Sequence, residues 1–189
     1  MVGASREHVN SSTNSVALFT GIACGIAGAL LAVRRRRRFD FSGAIVLITG
    51  GSRGLGLLLA RECGRRGALI VLAARDEGEL QRAQADLTSR GINASVIAAD
   101  VISPADAARI VNEAVARHGR IDVLINNAGI IQAGPAEHMS VRDYDYAMRT
   151  HFWGPLHTMR AAIPHMRRQG AGRIVNISSI GGKIGVPHL

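Results

Sequence analysis

From Ala44 onward the sequence alternates short apolar runs with longer amphipathic stretches, and this alternation limits the possible folds more than any other feature. Short apolar runs bounded by Gly and polar residues read as strands, and the amphipathic intervals read as helices. Their regular exchange is the pattern of βαβ units on a parallel sheet. Five strands are expected, at 44–49 (AIVLIT), 69–74 (LIVLAA), 94–99 (ASVIAA), 123–126 (VLIN) and 173–178 (RIVNIS). All are apolar on both faces, as strands covered by helices on both sides must be.

The intervals carry helix signals. Ser103 precedes Pro104, a capping hydroxyl before a proline in the first helical position, and Ala107, Ile110, Val111, Ala114 and Val115 then follow at helical spacing. Gly119 closes that helix. Asp76 with Glu79 reads as a capping pair for a helix running to about Arg90, and Ser140 with Asp143 reads as another. With 47% hydrophobic and 20% charged residues among 189, the chain can bury a sizeable core.

Residues 16–33, VALFTGIACGIAGALLAV, hold no charge and would span roughly 27 Å as a helix, close to a bilayer core. One Arg precedes this stretch and Arg34 to Arg38 follow it, the reverse of a cleaved signal peptide, so an uncleaved anchor is expected. By the positive-inside rule the arginines hold the C-terminal side in the cytoplasm. That run accounts for five of the nine net positive charges, so the basic balance is largely one local feature. Gly21, Gly25 and Ala29 recur every four residues and would let two such helices pack into a homo-oligomer; ordinary small-residue usage in a membrane span is the other reading. The expected organisation is a polar N-terminus at 1–15, a transmembrane anchor at 16–33, an Arg-rich linker at 34–43 and a domain of alternating strands and helices at 44–189.

Cys24 and Cys63 offer neither a disulfide framework nor a zinc site, and the histidines show no metal-ligand spacing, so no metal is expected. Trp153, Tyr144 and Tyr146 are too few for a base-stacking surface, and nucleic acid is not an expected partner.

The segment Thr49-Gly50-Gly51-Ser52-Arg53-Gly54-Leu55-Gly56 lies where the first strand turns into the first helix. Glycines there let the backbone approach a pyrophosphate, and the helix N-terminus supplies unpaired N–H groups at its positive end. The spacing is G-x-x-x-G-x-G rather than G-x-G-x-x-G, and a glycine triplet alone is weak. Four further features follow in order: Arg75 after the second strand, Asp100-Val101 after the third, Asn126-Asn127-Ala128-Gly129 after the fourth, and Asn176-Ile177-Ser178-Ser179 closing the fifth.

With these five features the chain, from about residue 41 to Leu189, resembles the short-chain dehydrogenase/reductase family. The resemblance implies an α/β fold with a Rossmann-like doubly wound parallel sheet, here truncated after the fifth strand and preceded by one transmembrane helix. It implies that Gly50, Ser52, Arg53, Gly54, Leu55 and Gly56 hold the phosphates and adjoining ribose. Asp100 and Val101 would flank the adenine, and Asn127, Ala128 and Gly129 would line the cofactor ribose. Asp100 read without the resemblance is a strand-end cap, and Asn127 a tie between strands. Arg53 and Arg75 stand where a 2′-phosphate would lie, which favours NADP, with NAD as the alternative; Asp76, able to accept from a ribose hydroxyl, argues for NAD.

The implied chemistry is hydride exchange between nicotinamide and an alcohol or carbonyl carbon of a small molecule, and membrane attachment suits a lipophilic one. Ser179 would bond the reacting oxygen, and Ser178, its neighbour on the opposite side of the strand, would be structural. Two departures bear on it. His151, in Thr150-His151-Phe152-Trp153-Gly154, stands where the family commonly has Asn, and it reads either as an orienter of a proton-relay water or as a packing residue. The family's Tyr-x-x-x-Lys pair is absent after Ser179. The leading expectation is therefore a membrane-anchored NADP-type oxidoreductase represented by its cofactor-binding half and inert as it stands. A non-catalytic dinucleotide-binding or protein-interaction module anchored to a membrane is the rival, and a truncation unable to fold stably is the third reading.

Overall fold

The computed structural model describes residues 39–179 and 181. The expected span at 16–33 and the arginine run at 34–38 lie outside the described residues. Among those that are described, no helix is long and apolar enough to cross a membrane. The chain divides into two compact units, Met1–Asp40 and Phe41–Leu189, and every element below belongs to the second.

Five parallel strands, β1 (Ile45–Thr49), β2 (Leu69–Ala74), β3 (Ala94–Ala98), β4 (Val123–Asn126) and β5 (Arg173–Asn176), form one sheet in the order β3-β2-β1-β4-β5. Between them run α1 (Gly54–Arg65), α2 (Glu77–Ser89), α3 (Pro104–His118), α4 (Val141–Met148) and α5 (Gly154–Gln169). A short 3₁₀ turn at Ala136–His138 precedes α4, and a π-helical turn, Arg149–Trp153, joins α4 to α5. This is the parallel βαβ sheet that the alternation implies and the Rossmann-like arrangement that the resemblance implies.

Every residue of β1 and β4 is buried, because both lie inside the sheet with helices over both faces. On one face Leu47, Val71 and Leu124 pack with Ile110, Val111 and Ala114 of α3 and with Ala162 and Met166 of α5. Val46, Ile48, Ile70 and Leu72 alternate with them and are buried as fully, and α1 and α2 cover β1 and β2. Each buried Leu or Ile contributes about 2 kcal/mol, so this double layer is the main stabilising term.

The helix starts follow their sequence signals. Ser103 Oγ accepts from the Asp106 N–H at 3.3 Å, Gly119 closes α3 in the left-handed region, and Ser140 with Asp143 forms a reciprocal capping box on α4. The Asp76–Glu79 pair is only half of what the spacing predicts. Asp76 Oδ1 accepts from the Glu79 N–H at 2.8 Å, but the Glu79 carboxylate accepts from Ser52 Oγ at 2.9 Å instead of returning to the cap.

Strand ends differ from the expected bounds for one physical reason, the length of the neighbouring strand. β5 stops at Asn176 rather than Ser178: the Ile177 N–H still donates to the Asn126 carbonyl at 2.9 Å, but Asn126 is the last residue of β4. Ser178 and Ser179 therefore lie past the strand, and alternation along a strand does not assign them to opposite sides. β1 starts at Ile45 and β3 ends at Ala98, each one residue inside its expected bound.

Candidate cofactor-binding site

The chain reverses its direction of travel across the sheet at β1, with β2 on one side and β4 on the other. This leaves a crevice above their C-terminal ends, the place where open α/β sheets take ligands. A cleft of about 580 Å³ opens there. Its floor is the loop after β1, with Gly50, Ser52, Arg53, Gly54 and Leu55. Arg75 and Asp76 come from the end of β2, Asp100 and Val101 from the loop after β3, and Asn127, Ala128 and Gly129 from the loop after β4. Eleven of the fourteen site residues expected from the sequence thus line one cleft.

The glycines explain how the loop packs. Gly50 has φ +63°, and a Cβ on it would stand 2.8 Å from Ala128 Cα, so the loops after β1 and β4 can touch only if this residue is Gly. A Cβ on Gly56 would meet the Gly50 carbonyl oxygen at 2.2 Å and Asn127 Nδ2 at 2.6 Å. Gly56 lies beneath the loop rather than on the cleft wall, and its part is close packing. Asn127 binds the two loops together, its amide donating to the carbonyls of Gly50 at 3.0 Å and Thr49 at 3.2 Å. The buried Thr49 Oγ1 accepts from the N–H groups of Asn127 and Ala128 at 3.1 and 3.2 Å.

Three helices follow β1, β2 and β3, and only the first is uncapped. Asp76 caps α2 and Ser103 caps α3, whereas Arg53 at the start of α1 makes no side-chain cap bond and no acidic residue stands in the first turn. Uncapped N–H groups and the positive helix end face the glycine loop, the environment a pyrophosphate needs. The cleft and its donor set therefore fit a dinucleotide.

The remaining two expected residues lie off the cleft wall. His151, in the π-helical turn, places Nε2 2.9 Å from the Ile130 carbonyl oxygen and 3.4 Å from the Ile130 N–H. Gly129 leaves room for the imidazole, since a Cβ there would stand 3.0 Å from His151 Cε1. His151 thus anchors the loop that carries Asn127 to Gly129. Ser179 is exposed beyond β5, its Oγ accepting from the Gly181 N–H at 3.1 Å.

Other residues belong to the site without having been expected there. Glu79 lines the cleft and holds both Ser52 and Arg53, the latter at 3.4 Å. Tyr146 and Thr150 line it from α4 and the π-helical turn, and Arg75 donates to the Tyr146 hydroxyl. Tyr146 precedes β5 in the sequence, and α4 brings it beside the end of β2. Asn126 Nδ2 donates to Asn176 Oδ1 at 2.8 Å while Asn126 Oδ1 accepts from Thr158 Oγ1 at 2.7 Å, a network that fixes β4 to β5 and α5. Asp100 Oδ1 accepts from the Ile102 N–H at 3.1 Å, so it caps the strand end as well as lining the cleft.

The sequence profile of the family described as short chain dehydrogenase matches residues 44–189. The chain belongs to this family. It is 39% identical over 150 residues to 11-beta-hydroxysteroid dehydrogenase-like 4A of Arabidopsis thaliana, covering 78% of this chain and 50% of that protein. It is 40% identical over 152 residues to gluconate 5-dehydrogenase of Gluconobacter oxydans, covering 80% and 59%. The chain spans about half the length of the curated relatives it matches. Among solved structures, a metagenomic short-chain oxidoreductase in complex with NADP superposes with TM-score 0.74 at 35% identity, over 79% of this chain and 68% of that one. A short-chain dehydrogenase/reductase from Burkholderia phymatum in complex with NAD gives 0.77 at 30% identity, over 80% and 54%.

Proposed function

We propose that residues 44–189 are the cofactor-binding part of an NADP-dependent short-chain dehydrogenase/reductase, held at a membrane by residues 16–33 with the domain on the cytoplasmic side. The observation that carries the reading is the uncapped start of α1 beneath a glycine loop that Asn127 ties to β4, all facing one cleft. When bound, the nicotinamide cofactor supplies the hydride exchanged with an alcohol or carbonyl carbon.

The chain's own residues orient that cofactor. The N–H groups at the start of α1 take the pyrophosphate, and Gly50 and Gly54 let the backbone approach it. Asp100 and Val101 border the adenine, and Asn127 to Gly129 border the ribose on the other side of the crevice. Ser179 bonds the substrate oxygen, and its position past β5 leaves it outside the regular ladder. His151 has Nε2 occupied by the Ile130 carbonyl, so any relay through the imidazole uses Nδ1. Membrane attachment suits a lipophilic alcohol or carbonyl substrate. The alternative, a membrane-anchored module that binds a dinucleotide or a protein partner without catalysis, shares the cleft and differs in chemistry alone.

Isothermal titration of the 189-residue chain with NADPH and NADH tests the cofactor assignment. Tighter binding of NADPH is expected. Tighter binding of NADH, or binding of neither, overturns it.

A further inference from the structure

Two arginines and two carboxylates, Arg53, Arg75, Asp76 and Glu79, meet at the end of the cleft bounded by β2 and α2. Net charge alone therefore cannot select a 2′-phosphate there; the pairing of these groups must decide. Arg53 is engaged by an anion, since its guanidinium stands 3.4 Å from Glu79 Oε1, and the carboxylate is held in turn by Ser52 Oγ at 2.9 Å. Asp76 caps α2 through Oδ1. Arg75 differs from both. Among the described residues it makes no ion pair, and its one side-chain bond is donated to the neutral hydroxyl of Tyr146. That hydroxyl accepts from Arg75 and, among the described residues, donates to nothing, so its proton remains available to an oxygen placed beside the guanidinium.

We propose that Tyr146 is a specificity-determining residue. It positions Arg75 and donates its own proton, so that Arg75 and Tyr146 together grip a phosphate on the adenosine 2′-oxygen, while Glu79 neutralises Arg53 and keeps it from that role. The inference rests on the cofactor reading above and assigns the discrimination within it to one side of the cleft. Its chemistry is that of a charge-assisted pair: a guanidinium held in place by a neutral partner keeps its full attraction for a dianion, whereas one already facing a carboxylate must first give up that contact.

The test uses the full 189-residue chain in detergent and two half-cofactors, adenosine 2′,5′-bisphosphate and 5′-AMP, with the ratio of their affinities as the readout. General damage to the cleft weakens both ligands and leaves the ratio unchanged, and a thermal melt of each variant reports folding separately. Wild-type chain is expected to favour the bisphosphate. Tyr146→Phe should cut that preference about tenfold, the size of a hydrogen bond to a charged group. Arg75→Met should cut it further than Arg53→Met, and Glu79→Gln should raise it about threefold by releasing Arg53. An unchanged ratio in Tyr146→Phe, or a larger loss from Arg53→Met than from Arg75→Met, overturns the assignment while leaving the cofactor site standing. Wild-type chain that binds neither probe, or binds both equally, overturns the cofactor reading itself and this inference with it.

Discussion

Asn127 and Gly50, separated by 77 positions in sequence, meet through a 3.0 Å bond from the Asn127 amide to the Gly50 carbonyl. The second amide bond, to Thr49, and the Gly56 backbone beneath complete a small cluster on which the shape of the cofactor loop depends. Losing the Asn127 amide takes that donor from both carbonyls.

Asn127→Ala is expected to cost about 1–3 kcal/mol, the penalty for unsatisfied buried acceptors, and to lower Tm by about 3–10 °C. Gly56→Ala should cost as much or more, because its Cβ would displace both the Gly50 carbonyl and the Asn127 amide. Since both changes break the same contact, the double variant should lose clearly less than the sum. Thermal melts of the four proteins measure this; additive losses show that the cluster does not act as a unit.

His151 takes up one half of a task that an amide can perform whole. A neutral imidazole nitrogen is donor or acceptor, and Nε2 serves the Ile130 carbonyl at 2.9 Å far better than the Ile130 N–H at 3.4 Å. Asn carries both groups side by side. His151→Ala should lower Tm by about 2–4 °C, equivalent to about 1 kcal/mol, and His151→Asn should match or exceed the wild type. If Asn proves as damaging as Ala, ring packing against Gly129, and not the bond to Ile130, is what the histidine supplies.

The sheet was legible because its inner strands are continuous apolar runs, and burial between two helix layers demands such runs. The glycine loop was legible because close backbone approach excludes other residues, as Gly56 illustrates with a Cβ 2.2 Å from a carbonyl oxygen. Tyr146 was not legible. Its partner Arg75 is 71 positions away, and nothing in a mostly polar helical segment indicates which turn will face a distant strand end. The end of β5 was hidden for a related reason: apolar character continues through Ile177, but β4 supplies no partner beyond Asn126. Glu79 looked like half of a capping pair, and only the approach of α2 to the loop after β1 gives its carboxylate to Ser52 and Arg53.

Residues 16–33 carry a prediction of their own. With no charge across eighteen positions and five arginines following, the chain is expected to stay in the membrane pellet after alkaline carbonate treatment, with residues 44–189 open to protease from the cytoplasmic side. Each Arg drawn to mid-bilayer would cost about 3 kcal/mol, which holds that end of the span at the surface. Release into the carbonate supernatant contradicts the anchor, and protection from cytoplasmic protease contradicts the orientation.

The last prediction concerns turnover. The family resemblance implies a tyrosine roughly 13 positions beyond Ser179 as general acid/base and a lysine four positions further. The ten residues after Ser179 contain no tyrosine, and Lys183, the sole lysine, precedes the place where that lysine would fall. A free phenol titrates near 10, so proton transfer at neutrality needs both the ring beside the substrate and a cation beside the ring. Tyr146 meets part of this description, since it lines the cofactor cleft and has Arg75 for a neighbour. Its place is wrong. Arg75 follows β2, on the side that the proposed reading gives to the adenosine, whereas Ser179, which that reading sets against the substrate, lies past β5 on the other side of β1. Tyr144, half exposed on α4, does not line the cleft. The 189-residue chain is therefore expected to bind NADPH yet leave alcohols and carbonyls unchanged, in assays that follow NADPH absorbance with a panel of lipophilic ketones. Steady NADPH-dependent reduction by the purified chain, lost in Ser179→Ala and kept in Tyr146→Phe, would show that another group in this half of the fold moves the proton. Loss in Tyr146→Phe would instead assign that proton to the tyrosine beside Arg75.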